Sequence, residues 1–300
     1  MSVPGPATEA PRAPFVRTDD GLVRAAIVAA PSAAIDRAVP IHGEPHAIPE
    51  RAREQHEIFV GRLRSYGITV ARAATDPAAP SRPGASDAES TIVQDAAVVF
   101  AAGAFLMRPA EPARRGEIDA VAAALERAGV PIVGRIAAPG LLDGGDVLVS
   151  GDTLFVARSQ RRAAQVGVAS FVHGNDLGRE QLAAYARGTG LQVVEVDVAS
   201  TVRRLRSVAT AVADDTILLA PGLLDATVFG GRRLIVAPPG EEYGAGVLSL
   251  GGRRVIANLR FRTLIPLLRK AKIAVDAIDL WEFGKIGATP SSLVLVFKRG

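Results

Sequence analysis

Leu142-Asp143-Gly144-Gly145-Asp146-Val147-Leu148 decides how this chain is read: two aspartates bracket a Gly-Gly pair, and an apolar run follows at once. Aspartate beside glycine is turn chemistry, because the short carboxylate bonds nearby backbone while glycine accepts turn dihedrals. That use alone would account for Asp143 and Asp146. After them the period becomes that of a strand, and residues 146–149 and 153–157 read as a hairpin turning at Gly151-Asp152.

The same unit recurs on both sides of this hairpin. Upstream, residues 24–30 are a short apolar strand, residues 50–66 a helix with Ala52, His56, Phe59, Val60 and Leu63 at helical spacing, and residues 68–73 a strand. A Pro/Ser/Gly loop (76–84) leads to a hairpin of 91–101 with 105–108, turning at Gly103, then to a helix (114–128) and a strand (131–136). Downstream come a helix (176–187), a strand (191–196), and strands 204–213 and 216–220 turning at Asp214-Asp215. Strands 233–237, 246–250 and 255–257, the last two turning at Gly251-Gly252, precede a helix (262–270) and strands 274–279 and 293–297. A strand, hairpin and helix returning about every 50 to 60 residues points to a radial repeat, each unit covering its neighbour's apolar face. A doubly wound sheet is the competing architecture, but it alternates single strands with helices instead of pairing strands in hairpins.

With 300 residues, 48% of them apolar, the chain can bury a substantial core. Residues 1–20 are rich in Pro and Ala, lack an apolar period and are expected to form a disordered tail, leaving 21–300 as one domain. The formal charge of +4 is slight and the basic residues are scattered, so no nucleic-acid partner is expected. No apolar run approaches the roughly 18 residues of a spanning helix and no secretory leader is recognisable, so no membrane partner and a cytoplasmic location are expected. The absence of cysteine excludes disulfides, thiolate metal sites and a cysteine nucleophile. His42, His46 and Glu50 lie in a proline-bearing loop without helical i, i+4 spacing, so no metal site is expected, nor any other cofactor.

Four segments, in order, resemble the dimethylargininase and amidinotransferase group of guanidine-modifying enzymes. They are Glu50 to His56, with its Gln-His pair; Thr91 to Val99, with Arg108-Pro109 and Arg114 to Glu117 after it; Leu142 to Leu148; and Glu282 to Lys285 through Ser291 to Leu295. The resemblance covers about 22–297 and implies an α/β fold, the pentein-type five-bladed propeller with pseudo-fivefold repeats. It implies that Asp95, Glu89 and Asp143 are the acidic contacts of a guanidinium, and that Arg108 and Arg161 are contacts of a substrate carboxylate. Ser292 falls where the family has its cysteine nucleophile. Arg204, opening Arg204-Leu205-Arg206-Ser207, falls where it has its catalytic histidine.

In the family a thiolate attacks the guanidinium carbon, and histidine protonates the departing amine and then helps water release the intermediate. A serine hydroxyl needs a base within hydrogen-bond reach to become a nucleophile. Arg204 cannot be that base, since guanidinium has no acceptor and titrates only above roughly pH 12. The histidines (His42, His46, His56, His173) lie outside the aligned catalytic strand, with His173 the best candidate among them and a surface loop its ordinary role. Arg204 would also repel a cationic substrate, unless it pairs with Asp143 or Asp95 and fills the guanidinium site from within, or else holds an anion in a fork.

Three functions therefore stand. The first is a protein with a rewritten centre that binds a small guanidino compound, amino acid or small anion without cysteine hydrolysis. The second is an active hydrolase of an arginine-like or other amidine, using Ser292 or a water held by Asp95 and Asp143. The third is a structural or partner-binding propeller; a homodimer is compatible with each.

Overall fold

A computed structural model describes residues 15–16, 18–41, 43–73, 88–159 and 174–298. Along the chain the strands are β1 (Val23–Val28), β2 (Thr69–Arg72), β3 (Ala97–Val99), β4 (Ala104–Leu106), β5 (Ile132–Arg135), β6 (Val147–Ser150), β7 (Thr153–Ser159), β8 (Gln192–Val198), β9 (Ala209–Ala213), β10 (Thr216–Leu219), β11 (Arg233–Val236), β12 (Leu248–Gly251), β13 (Arg254–Asn258), β14 (Ala274–Ile278) and β15 (Leu295–Lys298). They make five three-stranded sheets of one pattern: β15-β1-β2, β3-β4-β5, β6-β7-β8, β9-β10-β11 and β12-β13-β14. In every sheet the first pair is antiparallel and the second parallel. This is the repeat expected from the sequence, and a doubly wound sheet is ruled out.

Each parallel pair needs a crossover. Helices Pro49–Ser65, Glu117–Arg127, Asp176–Gly188 and Leu264–Lys270 supply four of them. The first has Pro at its start and buries Ala52, His56, Phe59, Val60 and Leu63, the face its spacing predicts. The fourth blade differs, crossing through the short turn Ala226–Phe229, with Asp225 accepting the Thr227 N–H at 2.9 Å. The ring closes between the chain's two ends, where Ala26 pairs with Val296 and Ile27 with Leu295. Between blades the core is apolar, with Phe155 and Phe229 fully buried and their ring centroids 4.7 Å apart.

Two expected strands are shorter than their apolar runs. Residues 93–96 and 205–208 form helical turns, and β3 and β9 begin only after them. Side-chain anchors hold the second turn back from the ladder: the Leu205 N–H donates to Asp146 Oδ1 at 3.0 Å. The expected tail also ends earlier than 20. Val16, Asp19 and Asp20 are buried, and the Asp19 N–H donates to the Val149 carbonyl oxygen at 3.0 Å. The rest of the proposed tail, residues 1–14, lies outside the described residues, as does the loop 76–84.

Candidate active site

Three helical turns, Val93–Ala96, Gly144–Asp146 and Leu205–Val208, end where β3, β6 and β9 begin. They bring Asp95, the Asp143 to Asp146 stretch and Arg204 together. Asp95 is fully buried at the centre. Arg204 Nε donates to its Oδ1 at 2.8 Å and Oδ2 at 2.6 Å, and Arg204 Nη2 lies 2.6 Å from Oδ2. Arg114 Nη1 reaches the same Oδ2 at 2.5 Å, and the Gly145 N–H donates to Oδ1 at 3.2 Å. Burial opposes ionisation of Asp95, but Arg204 and Arg114 outweigh it and pull its pKa down to about 2.

Around this centre the charges continue in alternation. Arg114 is also held by Glu117 at 2.9 Å and the Ile92 carbonyl oxygen at 3.0 Å. Glu89 pairs with Arg203 and lies 3.5 Å from Arg204 Nη2. Burial pushes the Glu89 carboxyl up, and Arg203, then Arg204 and Arg114, reverse the shift and leave it lowered. Within the cluster, Arg204 Nη1 has no hydrogen-bond partner among the described residues.

The Gly-Gly pair is what admits this arrangement. A Cβ on Gly145 would lie 2.6 Å from both Arg204 Cδ and Asp95 Oδ1, and one on Gly144 would lie 2.1 Å from the Gln94 carbonyl oxygen. Asp146 is fully buried and anchors the Leu205 N–H. Asp143 retains some surface, but its Oδ1 is enclosed and accepts no hydrogen bond from any described residue. Burial, then the neighbouring Asp95 and Asp146, push its pKa up to about 7 despite Arg114 and Arg204. Of the two carboxylates that could have received Arg204, Asp95 is the one that holds it.

Ser292 is buried, and its hydroxyl bonds only Thr289 among the described residues: it accepts the Thr289 N–H at 3.2 Å and lies 3.1 Å from Thr289 Oγ1. The Gln94 N–H donates to the Ser292 carbonyl oxygen at 3.3 Å, which ties this segment to the Asp95 turn. Arg108 turns to the Gly140 carbonyl oxygen at 3.1 Å, and its backbone pairs with Leu142 at the start of the Gly-Gly stretch. Arg161, His42 and His173 lie outside the described residues. His56 packs against Phe283 and is pushed down to about 4 by burial, while His46 bonds the Asp36 carbonyl oxygen. Glu50, the third member of the metal grouping considered from sequence, pairs with Arg53 at 3.2 Å.

Arg114 and Arg203 have roles that their residue type did not announce, in a chain where most arginines are solvated. The signal available for Arg114 was its place in the Arg114 to Glu117 segment, where Glu117 stands three residues on and on the same helical side.

No protein-family model matches the chain. The N(G),N(G)-dimethylarginine dimethylaminohydrolase of Streptomyces coelicolor is 33% identical to it over 262 residues, covering 87% of this chain and 92% of that protein. The chain belongs to the dimethylarginine dimethylaminohydrolase family. Among solved structures, the Pseudomonas aeruginosa dimethylarginine dimethylaminohydrolase, in a cysteine-to-serine mutant complexed with citrulline, superposes with a TM-score of 0.78 at 22% identity, over 92% of this chain and 100% of that one. SxtG, an amidinotransferase from Microseira wollei, gives a TM-score of 0.74 at 17% identity over 95% and 97%. These likenesses establish the pentein fold for the dimethylargininase-like chain. No helix among the described residues is long and apolar enough to cross a membrane.

Proposed function

We propose that this dimethylargininase-family protein binds a small ligand with acceptor oxygens, such as an amino acid or another small carboxylate, and does not hydrolyse guanidino compounds through a covalent enzyme intermediate. The observation that carries this reading is the Arg204 fork on Asp95. In the family resemblance Asp95 grips the substrate guanidinium, and here a guanidinium of the chain itself is already there. A guanidino ligand would have to displace a buried ion pair that Arg114 and Gly145 also support. The free Nη1 of Arg204 instead offers a charged donor to an oxygen.

The chemistry of the nucleophile position points the same way. Ser292 has no carboxylate, imidazole or amine hydrogen-bonded to its hydroxyl among the described residues, so nothing there removes its proton. Purified protein incubated with arginine, its methylated forms and agmatine is expected to release no citrulline or amine, and to be stabilised against heat by small carboxylates. Turnover of any of these guanidino compounds would overturn the proposal.

A second reading, an active hydrolase working on an amidine through a held water, has one observation in its favour. Burial, with Asp95 and Asp146 close by, pushes the Asp143 carboxyl up to about 7, towards the range of a working general acid or base. It requires an activity that Asp143→Asn abolishes and that follows a single ionisation near neutrality; a rate unchanged in that variant removes Asp143 from the chemistry.

A further inference from the structure

Beside the candidate site lies a cavity of about 40 Å³, here called axial because it is walled by strands of four blades, through Val98, Val147, Leu248 and Leu295. Its polar wall is Asp19, Gln94, Arg206 and Lys298. Three of these four are satisfied by one another. Asp19 Oδ2 accepts the Val149 N–H at 2.8 Å and pairs with Arg206 Nη1 at 2.5 Å. With the Gln94 amide turned so that its oxygen faces Arg206, the orientation that satisfies both groups, Arg206 Nε reaches that oxygen at 2.6 Å and Nη2 at 3.2 Å.

Lys298 is the exception. It sits at the end of β15 with 1% of its surface exposed, and its stem passes Gly21, where a Cβ would lie 3.3 Å from Lys298 Cβ. It makes no hydrogen bond or ion pair with any described residue, although it lines the cavity; Asp19 and Asp20 act on it only through space. An ammonium carries three donors, and burying them unanswered is costly. With Arg206 and Asp19 taken up in their own pair, Lys298 is the lining cation without a contact partner among the described residues, and Asp20 acts on it only from a distance.

We propose that this axial cavity is a binding site for one small monovalent anion, of the size of a halide, formate or nitrate, held by the Lys298 ammonium. At roughly 10–15 Å³ for each water-sized occupant, the space takes about three such atoms, which suits these anions and excludes phosphate esters or amino acids. Burial lowers the Lys298 pKa to about 8, which leaves the group mainly protonated at neutral pH. The site shares its wall with the candidate active site, since Gln94 and Gly144 line the cavity and are chain neighbours of Asp95 and of Asp143 and Gly145.

The test uses the full chain. Crystals soaked in sodium bromide are expected to show an anomalous peak in the axial cavity within contact of Lys298 Nζ; a map with no anomalous peak there, only ordered water, overturns the proposal. In solution at pH 7, bromide, which offers no acceptor oxygen to Arg204, is expected to raise the thermal midpoint saturably at constant ionic strength. Lys298→Met, which keeps the stem and removes the charge, is expected to weaken that response about tenfold, and a response unchanged in Lys298→Met overturns the axial proposal.

Discussion

Arg204 Nε stands within 2.6 and 2.8 Å of the two carboxylate oxygens of Asp95, so one buried acid is shared between this guanidinium and that of Arg114. The carboxylate is the hub of the cluster. Removing its charge in Asp95→Asn strands two buried cations, and a loss of about 3–5 kcal/mol in urea unfolding is expected. Arg204→Met should cost less, because Asp95 then keeps Arg114 and the Gly145 N–H. If Arg204→Met is the more damaging of the two, Asp95 is not the hub.

The glycines of the Asp143 to Asp146 stretch are set by contact, and they are unequal. In Gly145→Ala the new methyl meets Arg204 Cδ at 2.6 Å, part of a long side chain, but also Asp95 Oδ1 at 2.6 Å, which is held by two donors, the Gly145 N–H and Arg204 Nε. In Gly144→Ala it meets the Gln94 carbonyl oxygen at 2.1 Å and the Ala97 carbonyl oxygen at 2.8 Å, both backbone. Both substitutions should destabilise by at least about 1–3 kcal/mol, the usual cost of overpacking. Gly144→Ala should be the worse, since backbone cannot swing aside. Equal denaturation midpoints for the two variants would argue that the turns slide apart freely.

Much of this architecture was legible in the chain, and what escaped has a common cause. The hairpins were marked by turn residues such as Gly103 and Gly151, which adopt positive φ, and the first crossover helix by its buried face. Residues 93–96 and 205–208 read as strand because short apolar runs carry no period that separates a strand from one helical turn. What makes them turn is a bond from far along the chain, as when Asp146 takes the Leu205 N–H. Asp95, Asp143, Arg204 and Ser292 could be nominated from the sequence as candidate positions, with Arg204 open to either Asp143 or Asp95, but the choice between the two acids could not be read there. Which acid receives Arg204 depends on Arg114 and Gly145 approaching Asp95 in three dimensions. Lys298 gave no signal at all, because the last residues of a chain are ordinarily exposed, and ring closure is what carries this one inside.

The two acids of the centre should leave opposite marks on the pH dependence of stability. Asp95 has a folded-state pKa of about 2, below its unfolded value of 3.8. Its contribution is complete above 3.8 and is lost as pH falls through 3.8 towards about 2. Asp143 is raised to about 7 from the same 3.8, so the folded protein keeps a proton that the unfolded chain releases. Stability therefore declines as pH rises from 3.8 to about 7 and then levels. Asp143→Asn removes this decline, and its Tm advantage over the unsubstituted protein should be clear at pH 8 and small near pH 4. An equal gain at both pH values would place the effect in packing and not in the ionisation of Asp143.

In the proposed reading Ser292 and Arg204 stand at the family's nucleophile and histidine positions, and installing Cys and His there tests whether the two positions act together. Ser292→Cys alone supplies a nucleophile at a position where the hydroxyl bonds only Thr289 among the described residues, but it leaves Arg204 seated on Asp95. Asp95 stays occupied by Arg204 and no imidazole stands beside it among the described residues, so no citrulline should form from dimethylarginine. Arg204→His alone empties the fork and adds an imidazole, yet the serine stays a poor nucleophile. Only the double variant combines a thiolate, a titratable neighbour and a vacant Asp95. Its expected signature is slow citrulline release with a bell-shaped pH profile, reporting the thiol and the imidazole together. Citrulline formation by Ser292→Cys on its own would show that Arg204 yields to substrate, and that the buried ion pair does not close the site.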